Sequence, residues 1–164
     1  MKTVYLIGGT MGVGKTSTSQ ELKKKLKNAV FLDGDWCWDA DPFQVTDETK
    51  AIVIDNICYL LNNFIHSTAY ENIIFCWVMH EQTIIDTIVE RLDLIDCDLK
   101  IISLICSPEA LVKRLSRDIE AGLRKADIIN RSIVRLPMYE KIETIKIDVT
   151  DIDSQIAAEK ISAL

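Results

Sequence analysis

The chain has 164 residues, 48% of them hydrophobic, and a formal net charge of −6. That is enough for one domain with a real core, so residues 1–164 read as a single domain; the acidic balance argues against general nucleic-acid binding, which needs clustered Lys and Arg. No apolar run reaches the length of a membrane span, the N-terminus enters a strand directly, and the five cysteines form no C-x-x-C pair, so the expectation is a cytoplasmic protein with reduced thiols, no zinc and no membrane.

In chain order, Thr3–Ile7 is a short apolar, β-branched run that reads as a buried strand. It leads into Gly9-Thr10-Met11-Gly12-Val13-Gly14-Lys15-Thr16, a complete G-x-x-x-x-G-K-[ST] phosphate-binding loop. The glycines let bare amides approach phosphate oxygens, Lys15 reaches the β- and γ-phosphates, and the Thr16 hydroxyl is a ligand for Mg²⁺. Ser17 to Asn28 reads as the following helix, whose N-terminus favours anions. Ala29–Leu32 is a second strand, Thr46–Phe64 a helix with Val53, Ile57, Leu60, Leu61 and Phe64 on one face, and Ile73–Met79 a third strand. Ile84, Ile85, Ile88, Val89 and Leu92 stripe the next helix, and Leu99–Cys106 is a fourth strand. Ser107-Pro108-Glu109 starts a helix with Ser as cap and Pro in the first turn; Leu111, Leu115 and Ile119 give it a core face. Glu120 to Tyr139 is polar and Arg-rich, Ile145–Val149 is a fifth strand and Ser154–Leu164 a closing helix. Strand–helix alternation implies a parallel sheet covered on both faces, with ligands at the carboxyl ends of the strands.

The second strand runs into Asp33-Gly34-Asp35-Trp36-Cys37-Trp38-Asp39. In an extended segment Asp33 and Asp35 point the same way: one can hold Mg²⁺ while the other meets an attacking hydroxyl. The alternative is a polar loop whose acids cap the next turn. Trp36 and Trp38 either line a substrate pocket or cover the sheet edge. After the third strand, His80 and Glu81 either touch a substrate or cap the next helix. Five of the six arginines (Arg114, Arg117, Arg124, Arg131 and Arg135) fall within residues 114–135. Residues 113–135 carry a local charge of +4 in a chain of −6. Arg suits bidentate phosphate contacts and stacking on a base; Arg131 and Arg135 individually also fit a solvated helix surface.

Together these pieces resemble the P-loop small-molecule kinases: nucleoside monophosphate, shikimate and gluconate kinases and chloramphenicol phosphotransferase-like enzymes. The resemblance rests on Gly9–Thr16, on Asp33-Gly34-Asp35 and on the run from Ser107 to Arg117. It implies an α/β, three-layer αβα P-loop NTPase fold, with a five-stranded parallel sheet of order 2-3-1-4-5 and a helical lid at about residues 120–137. It also implies ATP and Mg²⁺ as cofactors, with Thr16 and Asp33 on the metal and Arg114 against adenine. Lys15, Arg117 and Arg124 then act on the transferring phosphoryl group. Asp35 meets the acceptor, with Trp36, Trp38, Asn56 and His80 nearby. Two departures stand out: the third strand carries neither the Walker B aspartate of motor ATPases nor the D-G-[FY]-P-R pattern of adenylate kinases. The expected function is ATP-dependent phosphoryl transfer to a nucleotide, nucleoside or other small hydroxyl acceptor. An antibiotic or sugar-acid acceptor and a non-catalytic nucleotide-binding module are the alternatives.

Overall fold

Short apolar strands separated by helical stretches can pair only through crossovers, and the computed structural model, which describes residues 1–164, has that arrangement. The order is β1 (Lys2–Gly8), α1 (Lys15–Lys25), β2 (Ala29–Asp33), a 3-10 turn (Gly34–Cys37), α2 (Asp47–His66), β3 (Asn72–Cys76) and α3 (Gln82–Glu90). It continues with β4 (Cys97–Ile105), α4 (Pro108–Glu120), α5 (Ile128–Arg135), a second 3-10 turn (Leu136–Glu140), β5 (Ile145–Asp148) and α6 (Ser154–Ser162). All strands are parallel, in the order β2-β3-β1-β4-β5. The expected fold and strand order are therefore present. No helix is long and apolar enough to cross a membrane.

The period-2 alternation of β1 divides the core. Tyr5 and Ile7 face a cluster with Leu22 of α1, Leu111 and Leu115 of α4 and Ile161 of α6. Val4 and Leu6 face the opposite cluster, with Val53, Ile57 and Leu61 of α2 and Ile85 and Ile88 of α3. Each such side chain contributes about 1.5–3 kcal/mol when fully buried, so the sheet is clamped from both sides and its strand ends are held fixed. Cys58, Cys76 and Cys106 are buried apolar residues, and all five cysteines are unpaired.

The boundaries differ from the sequence reading in informative places. Helix α1 begins at Lys15, inside the motif, and stops at Lys25; Leu26 is already extended and Asn28 turns with φ 47°. Strand β3 ends at Cys76 instead of Met79, because Met79 adopts φ 31° as the chain leaves the sheet. On α2, Leu60 and Phe64 are only half-buried, and Cys58 and Ile65 complete the buried face.

Candidate active site

Helix α1 differs at its N-terminus from three of the other helices, while α3 and α5 are likewise uncapped and without an acid in the first turn. Helices α2, α4 and α6 carry side-chain caps from Thr46, Ser107 and Asp153. Helix α1 is preceded by Gly14, has no side-chain cap and has no acid in its first turn. Its leading N–H groups are therefore left for an anion. Gly12 shows why the loop is glycine-rich: φ is 85°, and an added Cβ would lie 2.3 Å from Leu115 Cδ2. Thr10 is fully buried, and its hydroxyl donates to the Ser132 carbonyl of α5 at 2.8 Å. The Lys15 ammonium reaches back over the loop to the Thr10 carbonyl at 3.0 Å. Burial pulls the Lys15 pKa down, and Asp35 and Asp33 oppose that shift.

The two acids at the end of β2 are not related by strand alternation. Asp33 ends the strand and Asp35 sits in the 3-10 turn, so the extended-segment argument gives the wrong local geometry. They nevertheless open on the same space, and Asp33 takes the capping role given above as the alternative. Its Oδ1 caps the turn by accepting from the Asp35 N–H at 3.0 Å, and its Oδ2 accepts from the Thr16 hydroxyl at 2.7 Å. Gly34 makes the turn possible in a second way: a Cβ there would lie 2.5 Å from Trp77 Cγ, so the backbone passes directly against the indole. Asp35 is open to solvent on one side. Desolvation by its walls, reinforced by Asp33, raises its carboxyl pKa, while the Lys15 ammonium pulls the other way.

A cavity of about 660 Å³ joins these groups, running from Val149–Ala157 past the phosphate loop to Asp33 and Asp35. Arg114, Arg117 and Arg124 line it. Arg114 is fixed as a wall: its guanidinium donates to the carbonyls of Val13 (3.2 Å), Val149 and Ile152 (3.4 Å). Arg124 pairs with Asp118 at 3.1 Å, and Arg117 makes no salt bridge. Arg131 pairs with Asp127 on the exposed face, and Arg135 approaches Met11 Sδ at 3.9 Å.

The aromatic residues divide between the two faces of the sheet. Trp36 stands edge-on to Phe31 at 5.2 Å, against the α1 side of the core. Trp38 meets Trp77 at 6.2 Å and Phe43 at 4.8 Å, on the α2 side. Asn56 is exposed on α2 and ties that helix to the turn through a 2.9 Å hydrogen bond to the Cys37 carbonyl. His80 lies outside the cavity lining, 3.6 Å from Glu81, with Nδ1 buried and unpartnered. Burial and Arg135 push its pKa down.

Three contributors carried no legible sequence signal as site residues. Trp77 supports the turn, Asp118 holds Arg124, and Asp151 to Ser154 close the far end of the cavity. Cys76 occupies the end of β3, paired in register with Asp33. Its thiol is pushed up to about 12, chiefly by burial, so it is a neutral neighbour where motor ATPases place an acid. The Thr16 hydroxyl and Asp33 carboxylate form a preassembled pair of hard oxygen ligands. Mg²⁺ suits such a pair, since it takes one or two carboxylates and completes its shell with phosphate oxygens and water. No cluster of three or more His, Cys, Asp or Glu offers a competing metal site.

An uncapped helix behind a glycine loop, on a 2-3-1-4-5 parallel sheet, defines the P-loop NTPase class with the fold of its small-molecule kinases. Within that class the chain belongs to the AAA-domain family, whose sequence profile matches residues 6–133. No curated protein matches it by sequence similarity. Among solved structures it is similar to the Deinococcus radiodurans tunicamycin resistance protein, with TM-score 0.71, 20% identity, and 99% and 95% of the two chains covered. It is also similar to a gluconokinase from Sinorhizobium meliloti 1021, with TM-score 0.68, 15% identity and coverage of 98% and 94%. A shikimate kinase from Acinetobacter baumannii in complex with shikimate aligns with TM-score 0.62, 18% identity and coverage of 99% and 91%.

Proposed function

We propose that the protein is a small-molecule kinase that transfers the γ-phosphoryl group of ATP to a hydroxyl of a small acceptor. The observation that carries this reading is the single cavity onto which the phosphate loop, the Thr16–Asp33 pair, Asp35, Arg117 and Arg124 all open. The fold shared with proteins described as a gluconokinase and a shikimate kinase supports it.

In this reading the residues from Gly9 to Thr16 cradle the phosphates with the loop amides and the free N–H groups of α1, and Lys15 holds the β- and γ-oxygens. Thr16 and Asp33 would hold Mg²⁺, which would supply charge neutralisation at the phosphates. Thr16 and Asp33 mark the γ-phosphate end, so the opposite end, walled by Arg114 and residues 149–157, takes the base. Asp35 receives the acceptor's hydroxyl proton as its oxygen bonds to the γ-phosphorus. The bond from phosphorus to the β–γ bridging oxygen breaks, leaving phosphorylated acceptor and ADP. A carboxyl whose pKa is raised suits that role, because a general base works best with a pKa nearer the working pH. Arg117 and Arg124, at the start of a lid formed by residues 120–137, stabilise the charge of the moving phosphoryl group. Closure of the lid excludes water.

The test is Mg²⁺-dependent ATP consumption by pure protein across a panel of nucleosides, nucleotides, sugar acids and antibiotic-type alcohols. One acceptor should stimulate turnover, and Lys15→Ala should lower it by about 10²–10³-fold. ATP binding without stimulation by any acceptor would favour a nucleotide-gated binding module instead.

A further inference from the structure

Helix α4 presents three charged side chains to the cavity, Arg114, Arg117 and Asp118, spaced so that they share one helix face. Arg114 is tied to the carbonyls of Val13, Val149 and Ile152, and Arg117 is exposed without an ion pair. Asp118 carries the opposite charge. A carboxylate on the wall of a polyphosphate site repels its ligand unless a cation matches it.

That cation comes from beyond the helix. After α4 the chain reverses in a Schellman motif: the Leu123 N–H donates to the Asp118 carbonyl at 2.9 Å, the Gly122 N–H donates to the Ile119 carbonyl at 3.0 Å, and Gly122 takes φ 74°. The turn carries Arg124 back to the helix end, where its Nε donates to Asp118 Oδ2 at 3.1 Å. Arg124 is the only residue from Glu120 to Asp127 that is not exposed. The reversal is closed by backbone bonds, so the ion pair is not needed to make it.

The bond to Asp118 uses Nε alone. The two terminal nitrogens of Arg124 donate to no other group of the protein, and the side chain lines the cavity. Its charge reaches both Lys15 and Asp35. Burial lowers the Lys15 pKa and Arg124 adds to that, whereas at Asp35 Arg124 opposes the rise that burial causes. A loose arginine loses rotamer entropy when a ligand orders it; one held by Asp118 is ordered beforehand. Its free terminal nitrogens suit a forked contact with phosphate oxygens.

We propose that Asp118 is a positioning residue: by holding Arg124 through Nε it presents the terminal nitrogens to the γ-phosphate, so that a nucleoside triphosphate is bound in preference to the diphosphate. This rests on the kinase reading for where the γ-phosphate lies. It adds a reason for product release, because the diphosphate left after transfer no longer reaches Arg124.

The test needs no acceptor. Dissociation constants for β,γ-imido-ATP and for ADP, both with Mg²⁺, are measured by calorimetry on the full chain. Wild type should prefer the imido compound by about tenfold or more. Arg124→Ala and Asp118→Ala should each cut that preference by about three- to tenfold, with ADP affinity little changed. Adding Asp118→Ala to Arg124→Ala should change it no further. Asp118→Asn, whose amide oxygen still accepts from Nε, should keep most of it. Melting temperatures near wild type would verify that each variant is folded, as expected for a half-exposed pair.

The proposal is overturned if wild type shows no preference, or if Asp118→Ala leaves the preference intact. It is equally overturned if Asp118→Ala tightens the imido compound, which makes the carboxylate a competitor for Arg124, or if the loss persists undiminished without Arg124. Failure of Asp118→Asn to rescue also overturns it. Failure of the kinase reading registers elsewhere. If no acceptor stimulates turnover while the preference and its dependence on Asp118 stand, the protein is a non-catalytic nucleotide binder and the positioning role holds. If wild type binds neither nucleotide, both fall.

Discussion

The two ends of the cavity are built by different means. At the phosphate end eight consecutive residues provide the turn, the open amides, the ammonium and the hydroxyl, and they act mainly through backbone. At the proposed acceptor end the lining comes from Asp33 of β2 and Asp35 of the 3-10 turn, braced from outside by Trp77 and Asn56, and these residues act through side chains. A contiguous loop makes the same contacts with any nucleoside triphosphate, so it needs little variation. An end assembled from several elements changes its preference with one side chain, which is how a shared fold serves different acceptors.

The comparison is tested first where the effect is largest. Removing Arg117 or Arg124 by alanine substitution should lower the transfer rate by about 10³-fold or more while ATP affinity falls much less. Single-turnover kinetics with separate nucleotide binding measurements would check this, and an equal loss in both would assign these arginines to nucleotide binding instead. Asp35→Asn should lower the rate by about 10²-fold or more with nucleotide affinity unchanged.

In the proposed mechanism Asp35 also governs the pH profile. Its pKa is raised in the folded protein, so the acid limb of kcat/KM should lie above the ordinary aspartate value. The linked stability effect has a definite sign. The folded chain holds this proton more tightly than the unfolded chain, so stability from this group falls as pH rises through the raised pKa. Asp35→Asn should consequently leave the neutral-pH Tm unchanged or higher.

The smallest effect tests the loop itself. Gly12→Ala places a methyl at a positive φ against Leu115, costing about 1–3 kcal/mol of stability. It should also weaken ATP binding, and urea unfolding with nucleotide titration would separate the two losses.

Much of this was determined by the sequence alone. The phosphate loop was legible because its chemistry is local, with spacing, glycines, Lys15 and Thr16 all within one turn of chain. The doubly covered sheet was legible because apolar runs of strand length alternate with helical stripes. The strand order followed from resemblance, not from any residue pattern. Asp33 and Asp35 were found by type, but their geometry was misjudged: a 3-10 turn replaces the extended segment, and only packing of Gly34 on Trp77 reveals why.

What the tertiary structure decided lies at long range. It separated Trp36 from Trp38 onto opposite faces, coupled Thr16 to Asp33, tied Arg114 to the phosphate loop and the loop after β5, and left His80 outside the cavity. None of these contacts has a sequence period, since each depends on where strand ends meet once the sheet is closed on both faces. Local chemistry is written in adjacent residues; the wall of a pocket is set by how distant ones pack.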